Sequence, residues 1–314
     1  MALWSRIADF DPEDLSRALE TRAAVRMAVM RGTLHLVTAD DARGLYPPMA
    51  DVMRRQWRSS PYAKRLADLD LEPVLRAARA AVEARPMTPS DLGASLAEAW
   101  PAHDPNALAY AARFFLPLVQ VPPRGLWRRT GRPTNTTAEA WLGTPLVGDP
   151  PADVVRRYLR AFGPATVADA RAWSGLTGLR EVVDALRPGL RAYRDEGGRE
   201  LLDVPDGLLA PEDAPAPVRF LPQYDNVFLA HADRSRIDGA MHWGIDFGWK
   251  GPILVDGGIT GAWRIRRARG TATMTVELGR RLTSAERADL EAEADRLARF
   301  LDPGPRRDVV IVGA

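Results

Sequence analysis

The chain of 314 residues contains no cysteine. Disulfides, thiolate nucleophiles and cysteine-ligated metals are therefore excluded, and a reducing cytoplasm is the expected location. No run approaches the about 18 apolar residues that a membrane span needs, so no membrane partner is expected. The opening residues, Met1 to Arg6, lack the apolar core of a secretory signal. Histidine is scarce, with His35, His103, His231 and His242 only. No pair of them has the i, i+4 spacing of a helical zinc site. His231 and Asp233 form a His-x-Asp that could bind a metal on a strand, but a structural hydrogen bond is the commoner use of such a pair. No metal is expected. There is no Gly-x-x-x-x-Gly-Lys-Ser/Thr loop and no Gly-x-Ser-x-Gly elbow, so neither a P-loop nucleotide site nor a serine-hydrolase nucleophile is present, and no cofactor is expected.

Lysine is nearly absent too: Lys64 and Lys250 are the only two, and arginine carries the remaining positive charge. The formal net charge is only +2, which argues weakly for a polyanionic partner. The arrangement argues more strongly. Residues 113–132 hold five arginines and no acidic residue, and residues 257–276 hold four arginines and no acidic residue. Segregation of this kind is expected where one face meets a polyanion. The arginine fork also suits phosphate and guanine edges.

The periodicity predicts an α+β chain of tandem winged-helix (helix-turn-helix) modules followed by a small β-barrel-like domain with a packed helix. Residues 11–30 read as a helix ending in a strand, and Thr33 to Val37 as a second short strand. Asp40 starts a helix that Pro47-Pro48 should interrupt. Helices follow from Pro73 to Ala84, Pro89 to Trp100 and Pro105 to Leu116. A hairpin of Leu118 to Val121 and Leu126 to Arg129 should come next. Three helices and a hairpin form a winged helix. The order recurs after a Pro/Gly/Thr-rich loop at 130–150. The helices are Ala152 to Phe162, Val167 to Trp173 and Gly178 to Leu186. The hairpin is Leu190 to Tyr193 with Glu200 to Val204. The second helix of each module starts on a threonine answered by an aspartate three residues on, Thr88/Asp91 and Thr166/Asp169. Beyond a proline-rich linker (205–217), strands dominate. Candidates are Val218 to Leu221, Val227 to Ala230, Ile253 to Val255, Ile259 to Arg266 and Thr271 to Glu277, with turns at Asp256-Gly257 and Arg269-Gly270. A helix from the capping box Thr283/Glu286 to Asp302-Pro303, then a strand from Val309 to Val312, close the chain. The expected modules are a first winged-helix remnant at 1–48, winged helices at 49–148 and 149–208, and the β-domain at 209–314.

If these are winged helices, their third helices are the major-groove readers. They offer Asn106 and Arg113 in one and Arg180 with Glu181 in the other. Arg124, Arg128 and Arg129 make a basic, aromatic wing suited to phosphate. Arg264, Arg266 and Arg267 belong to the second arginine run, and Arg234 to a polar cluster at 220–234. The other wing tip, Asp195-Glu196, should repel phosphate, so the modules should be unequal. Winged helices also serve as protein-interaction modules.

Several segments are familiar. Arg31 to Val37 (Arg-Gly-Thr-Leu-His-Leu-Val), Leu118 to Gly125, Arg219 to Arg234, and Leu254-Val255-Asp256-Gly257 with Gly261-Ala262-Trp263-Arg264 together resemble the AlkZ-like family of DNA glycosylases. That resemblance implies three tandem winged helices with a β-barrel. It implies double-stranded DNA, alkylated or crosslinked, as partner of a monomer. The activity it implies is excision of N7-alkylated purines without metal or cofactor. It also implies a catalytic Gln-x-Gln, or Gln-x-Asp, just upstream of a segment like Leu3-Trp4-Ser5-Arg6. Of the three glutamines present, Gln56, Gln120 and Gln223, none has Gln two positions on, and only Gln223 has Asp there, as Gln223-Tyr224-Asp225, far from the segment at residues 3–6. The expectation is a DNA-binding relative that is not catalytic as given. Two alternatives stay open: an active glycosylase using an upstream or different group, with His35, Asp225 and His231 as candidates, or a winged-helix transcriptional regulator.

Overall fold

The computed structural model describes residues 1–235, 237, 248–268, 270–302, 304 and 306–313. His242, Arg269 of the second predicted turn and Pro303 lie outside them. The chain divides into a larger unit, Asp11–Gly207, and a smaller one that joins Met1–Phe10 to Leu208–Ala314.

The larger unit begins with α1 (Pro12–Glu20), β1 (Ala24–Ala28), β2 (Leu34–Thr38) and α2 (Ala39–Ser59). Short α3 (Pro61–Arg65), then α4 (Leu71–Ala84), α5 (Pro89–Ala99) and α6 (Pro105–Phe115) follow. Most of these helices start where sequence physics asks. Asp11, Thr38, Asp70, Thr88 and Asp104 each accept a backbone N–H of the first turn, and prolines 12, 89 and 105 occupy positions that need no donor. The predicted break at Pro47-Pro48 does not occur, because α2 runs through it. Two prolines remove the N–H groups that would reach the Arg43 and Gly44 carbonyls. Val147 and Gly148 donate to Arg43 O instead, at 3.2 and 3.1 Å, and Asp149 donates to Gly44 O at 2.8 Å.

The predicted hairpin partner Leu126–Arg129 is a turn, not a strand. Strand β3 (Leu118–Gln120) pairs instead with β1 on one side and with β4 (Asn135–Thr137) on the other, in a sheet ordered β2-β1-β3-β4. Both its edges are taken, so nothing remains for residues 126–129 to pair with. After α7 (Ala138–Leu142) come α8 (Pro151–Phe162), α9 (Val167–Ser174), α10 (Leu179–Leu186) and the antiparallel pair β5 (Arg191–Arg194) and β6 (Glu200–Asp203). This is the predicted order, and the Thr166/Asp169 capping box is complete.

In the smaller unit, β7 (Arg219–Phe220), β8 (Gly251–Val255), β9 (Gly258–Ala268), β10 (Thr271–Leu278) and β11 (Arg307–Val312) form one sheet ordered β11-β10-β9-β8-β7. Among the described residues no strand closes it into a barrel. The segment expected as a strand at 227–230 is helical, as α11 (Asn226–Leu229), capped by Asp225. A four-residue apolar run does not distinguish the two states, and the Asp cap decides. Helix α12 (Ser284–Leu301) puts Leu290, Ala294 and Leu297 into a core with Phe220, Ile253, Trp263 and Met274. Trp4, from the opening residues, belongs to the same core and stacks on Phe300 at 5.5 Å. Among the described residues no helix is long and apolar enough to cross a membrane.

Candidate nucleic-acid interface

In the larger unit the turn after β3 carries Arg124, Arg128 and Arg129, all exposed. The Trp127 amide donates to Ser16 Oγ at 2.9 Å and ties this turn to α1. Arg128 lies over the Trp127 ring at 5.4 Å. A fourth arginine, not anticipated, joins them. Arg26 projects from β1 between the buried Val25 and Met27. Its guanidinium rests on Gly125, where an added Cβ would lie 2.7 Å from Nη1. Gly125 also has φ +102°, so a side chain is excluded there twice over. Burial first, and the neighbouring Arg124 second, depress the Arg26 pKa. Guanidinium pKa values start so high that Arg26 stays charged. No carboxylate among the described residues pairs with Arg26 or Arg124. A half-buried cation facing a like charge is an unbalanced field that an anion would relieve. The sequence held one signal for Arg26, a lone charge inside an otherwise apolar strand, Ala24-Val25-Arg26-Met27-Ala28.

Arg180 lies at the start of α10, in an open groove of about 850 Å³ along α9 and α10 that Arg55 and Arg171 also line. Arg55 donates to Gly175 O at 2.7 Å, while Arg171 and Arg180 have no acidic partner among the described residues. At the tip of the β5–β6 pair, Asp195 accepts from Arg199 N at 2.8 Å and pairs with Arg199 Nε at 2.6 Å. The Arg199 backbone amide, then its guanidinium, hold the Asp195 carboxyl below the usual range. The Asp195 half of the charge expected to repel phosphate is thus neutralised within its own turn.

Asn106 and Arg113, the other proposed groove readers, sit two turns apart on α6. Both line a cavity of about 420 Å³. Arg113 is anchored, with its guanidinium over Tyr110 at 5.4 Å and its Nη1 donating to Tyr110 Oη at 3.2 Å.

In the smaller unit the arginines of β9 separate by strand alternation. Ile265 faces the core, and Arg267 shares that side, where it binds Asp302 at 3.0 Å and the Leu301 carbonyl. Arg264 and Arg266 take the opposite face, across from Thr275 and Thr273. Arg264 Nε is buried without a partner and Arg266 is exposed. Arg234 covers the Phe228 ring at 4.5 Å.

The candidate catalytic groups belong to two different units. In the larger unit, His35 Nδ1 lies 2.7 Å from the Thr33 carbonyl and Nε2 lies 3.5 Å from Arg31. Burial is the main cause that lowers its pKa; the Thr33 bond opposes it and Arg31 adds to it, so the ring is neutral at pH 7. Its Nδ1 proton then points to Thr33, leaving Nε2 as acceptor. In the smaller unit, Asp225 is buried, and Arg6 grips both its oxygens at 2.6 and 3.0 Å while it caps α11. His231, half-buried, follows α11.

A family model described as "DNA glycosylase AlkZ-like" matches residues 1–300. The solved structure of Streptomyces sahachiroi DNA glycosylase AlkZ is similar in fold, with a TM-score of 0.72. It is 19% identical, and the match covers 96% of this chain and 85% of that one. The comparison with curated proteins returns no match.

Proposed function

Because the chain belongs to the AlkZ-like family of DNA glycosylases, we propose that it binds duplex DNA, with Arg26 and Arg124 gripping the phosphate backbone. The observation that carries this is the carboxylate-free arginine group Arg26, Arg124, Arg128 and Arg129 on the larger unit. Two like charges held side by side, one half-buried and one exposed, cost stability unless an anion neutralises them. Phosphate contacts of this kind position a duplex without reading its sequence. Residues 151–204, three helices and a β-pair in order, are read as a winged helix whose groove along α9–α10 presents Arg171 and Arg180 to the same polyanion. Arg264 and Arg266 give the smaller unit its own basic face.

The preferred duplex, on this reading, carries an N7-alkylated purine or a crosslink. Hydrolysis of a glycosidic bond needs a group that directs water at a cationic sugar. Asp225 is held by Arg6 and cannot approach such a water, and His35 is engaged on both ring nitrogens. The Gln-x-Gln that the resemblance implies occurs nowhere in the sequence, and its Gln-x-Asp, Gln223-Tyr224-Asp225, ends on the aspartate that Arg6 holds. We therefore read the chain as recognising damaged DNA without excising the base.

The test is duplex binding across a salt series, on plain DNA and on DNA carrying one N7-methylguanine. Micromolar affinity that falls steeply with salt is expected, tighter on the damaged duplex. Arg26→Ala and Arg124→Ala should each reduce the slope of log K against log salt by about 1. Slopes unchanged in both variants would remove the phosphate reading. A preference of about 10³ or more for one sequence over random DNA would mark a regulator instead. Release of free 7-methylguanine would overturn the non-excising reading alone.

A further inference from the structure

A strand at the edge of a sheet carries a row of unpaired N–H and C=O groups, and folded chains usually blunt such an edge with charge, proline or brevity. Among the described residues every edge but one is blunted. Strand β4 has three residues and lies just beyond Pro133, and β7 has two. Strand β11 opens on Arg307 and Asp308, β5 carries Arg191 and Arg194, and β6 carries Glu200 and Asp203. Strand β2 is the exception. It is the outer strand of the sheet β2-β1-β3-β4, and Leu34-His35-Leu36-Val37-Thr38 holds no carboxylate, no Lys or Arg, no proline and no bulge. It also turns apolar side chains to solvent, with Leu34 44% and Leu36 40% exposed.

The free backbone groups of β2 have a definite phase. Val29 N–H donates to Thr33 O at 3.2 Å and Ala39 N–H to Ala23 O at 2.9 Å, in the register that pairs Met27 with His35 and Val25 with Val37. Thr33, His35, Val37 and Ala39 therefore turn their backbone groups to β1, and Leu34, Leu36 and Thr38 turn theirs outward. Among the described residues no strand pairs with the outward groups of Leu34 and Leu36. Free backbone groups beside exposed leucines are a template for one more strand.

We infer that this strand is β2 of a second copy, antiparallel about a two-fold axis between the Leu36 residues of the two copies. The phase selects that register. Leu36 meets the partner's Leu36 and Leu34 meets the partner's Thr38, so outward groups face outward groups throughout. A slip of one residue sets outward groups against inward ones, and a slip of two leaves one end of the strand unpaired. The two Leu36 side chains then lie side by side and cover each other. Charge does not oppose the pairing. Arg26 lies directly across from Leu36 on β1, so Arg26 and the partner's Arg26 stand three strand spacings apart, about 14 Å. That exceeds the screening length of about 10 Å at 0.1 M salt. A dimer departs from the monomer that the resemblance implies, and it does not depend on DNA binding.

Sedimentation velocity of the full chain over a concentration series tests it. The wild type is expected to pass reversibly from monomer to dimer in the micromolar range, because a single edge pairing lies at the small end of interface sizes. Leu36→Lys and Leu36→Glu each set like charges opposite one another across the axis, and each alone should raise the dissociation constant by at least about tenfold. Mixed together, the two variants should recover dimer, since Lys then faces Glu. Neither should lower the melting temperature of a dilute sample, because Leu36 is already exposed. A wild type that stays monomeric throughout the series would leave the edge to some other chain and overturn the inference. So would charged variants that dimerise alone as well as the wild type does, or that fail to recover dimer on mixing.

Discussion

Asp225 illustrates how a residue of reactive type can be committed to structure. Its carboxylate caps α11 and receives two bonds from Arg6, 219 positions away in sequence. Asp225→Ala should destabilise the smaller unit by about 2–3 kcal/mol, the loss of a cap plus one side of a largely buried ion pair, discounted because Arg6 is half-exposed. Chemical denaturation read through the tryptophans of that unit measures it. A loss under about 0.5 kcal/mol would show the pair to be incidental. In sequence, Asp225 read as a candidate catalytic group, and the helix it caps was expected to be a strand. Its partner Arg6 was not legible, because nothing local ties residue 6 to residue 225. Arg26 was missed for the related reason that its isolation becomes visible only when Arg124 is brought beside it.

At the scale of elements, starts were legible and partners were not. Thr88, Asp104, Thr166 and Thr283 each cap the helix that their sequence context announces. Those signals act over three residues. The continuity of α2 through Pro47-Pro48 depends on donors a hundred residues downstream, and the identity of the strand beside β3 depends on β1, which lies far upstream. Close packing of α5 on α6 is of the same long-range kind. A Cβ on Gly93 would sit 2.5 Å from the Pro105 carbonyl oxygen, which is backbone and cannot swing away. Alanine would gain about 1 kcal/mol of helix propensity over glycine, but overpacking costs typically 1–3 kcal/mol. The clash should win, so Gly93→Ala should lower stability, and thermal unfolding of the variant checks the sign. A higher melting temperature would mean that the two helices separate freely.

For the whole molecule, the division into Asp11–Gly207 and a unit built from both chain ends was the least legible feature. Composition shifted at the 205–217 linker, as expected of a boundary, but nothing in Met1–Phe10 announced that it packs with residues 208 onward. Trp4 is the anchor, stacked on Phe300 and covered by Arg296 at 4.0 Å from its ring. Trp4→Ala should cost about 3–5 kcal/mol, together with a cation–π contact. It should lower the unfolding transition of the smaller unit alone. Hydrogen exchange resolved by residue would show faster exchange in β7–β11 and unchanged protection in β1–β4. Equal loss in both units would contradict the assignment of residues 1–10.

The same division sets an order of events during synthesis. The first ten residues leave the ribosome before any of the strands they will join, and the whole larger unit is completed in between. Trp4 and Phe10 must therefore stay unsatisfied until Phe300 has been synthesised. The larger unit can condense as an insertion while the smaller one waits. The smaller unit closes only after its last helix and strand have emerged.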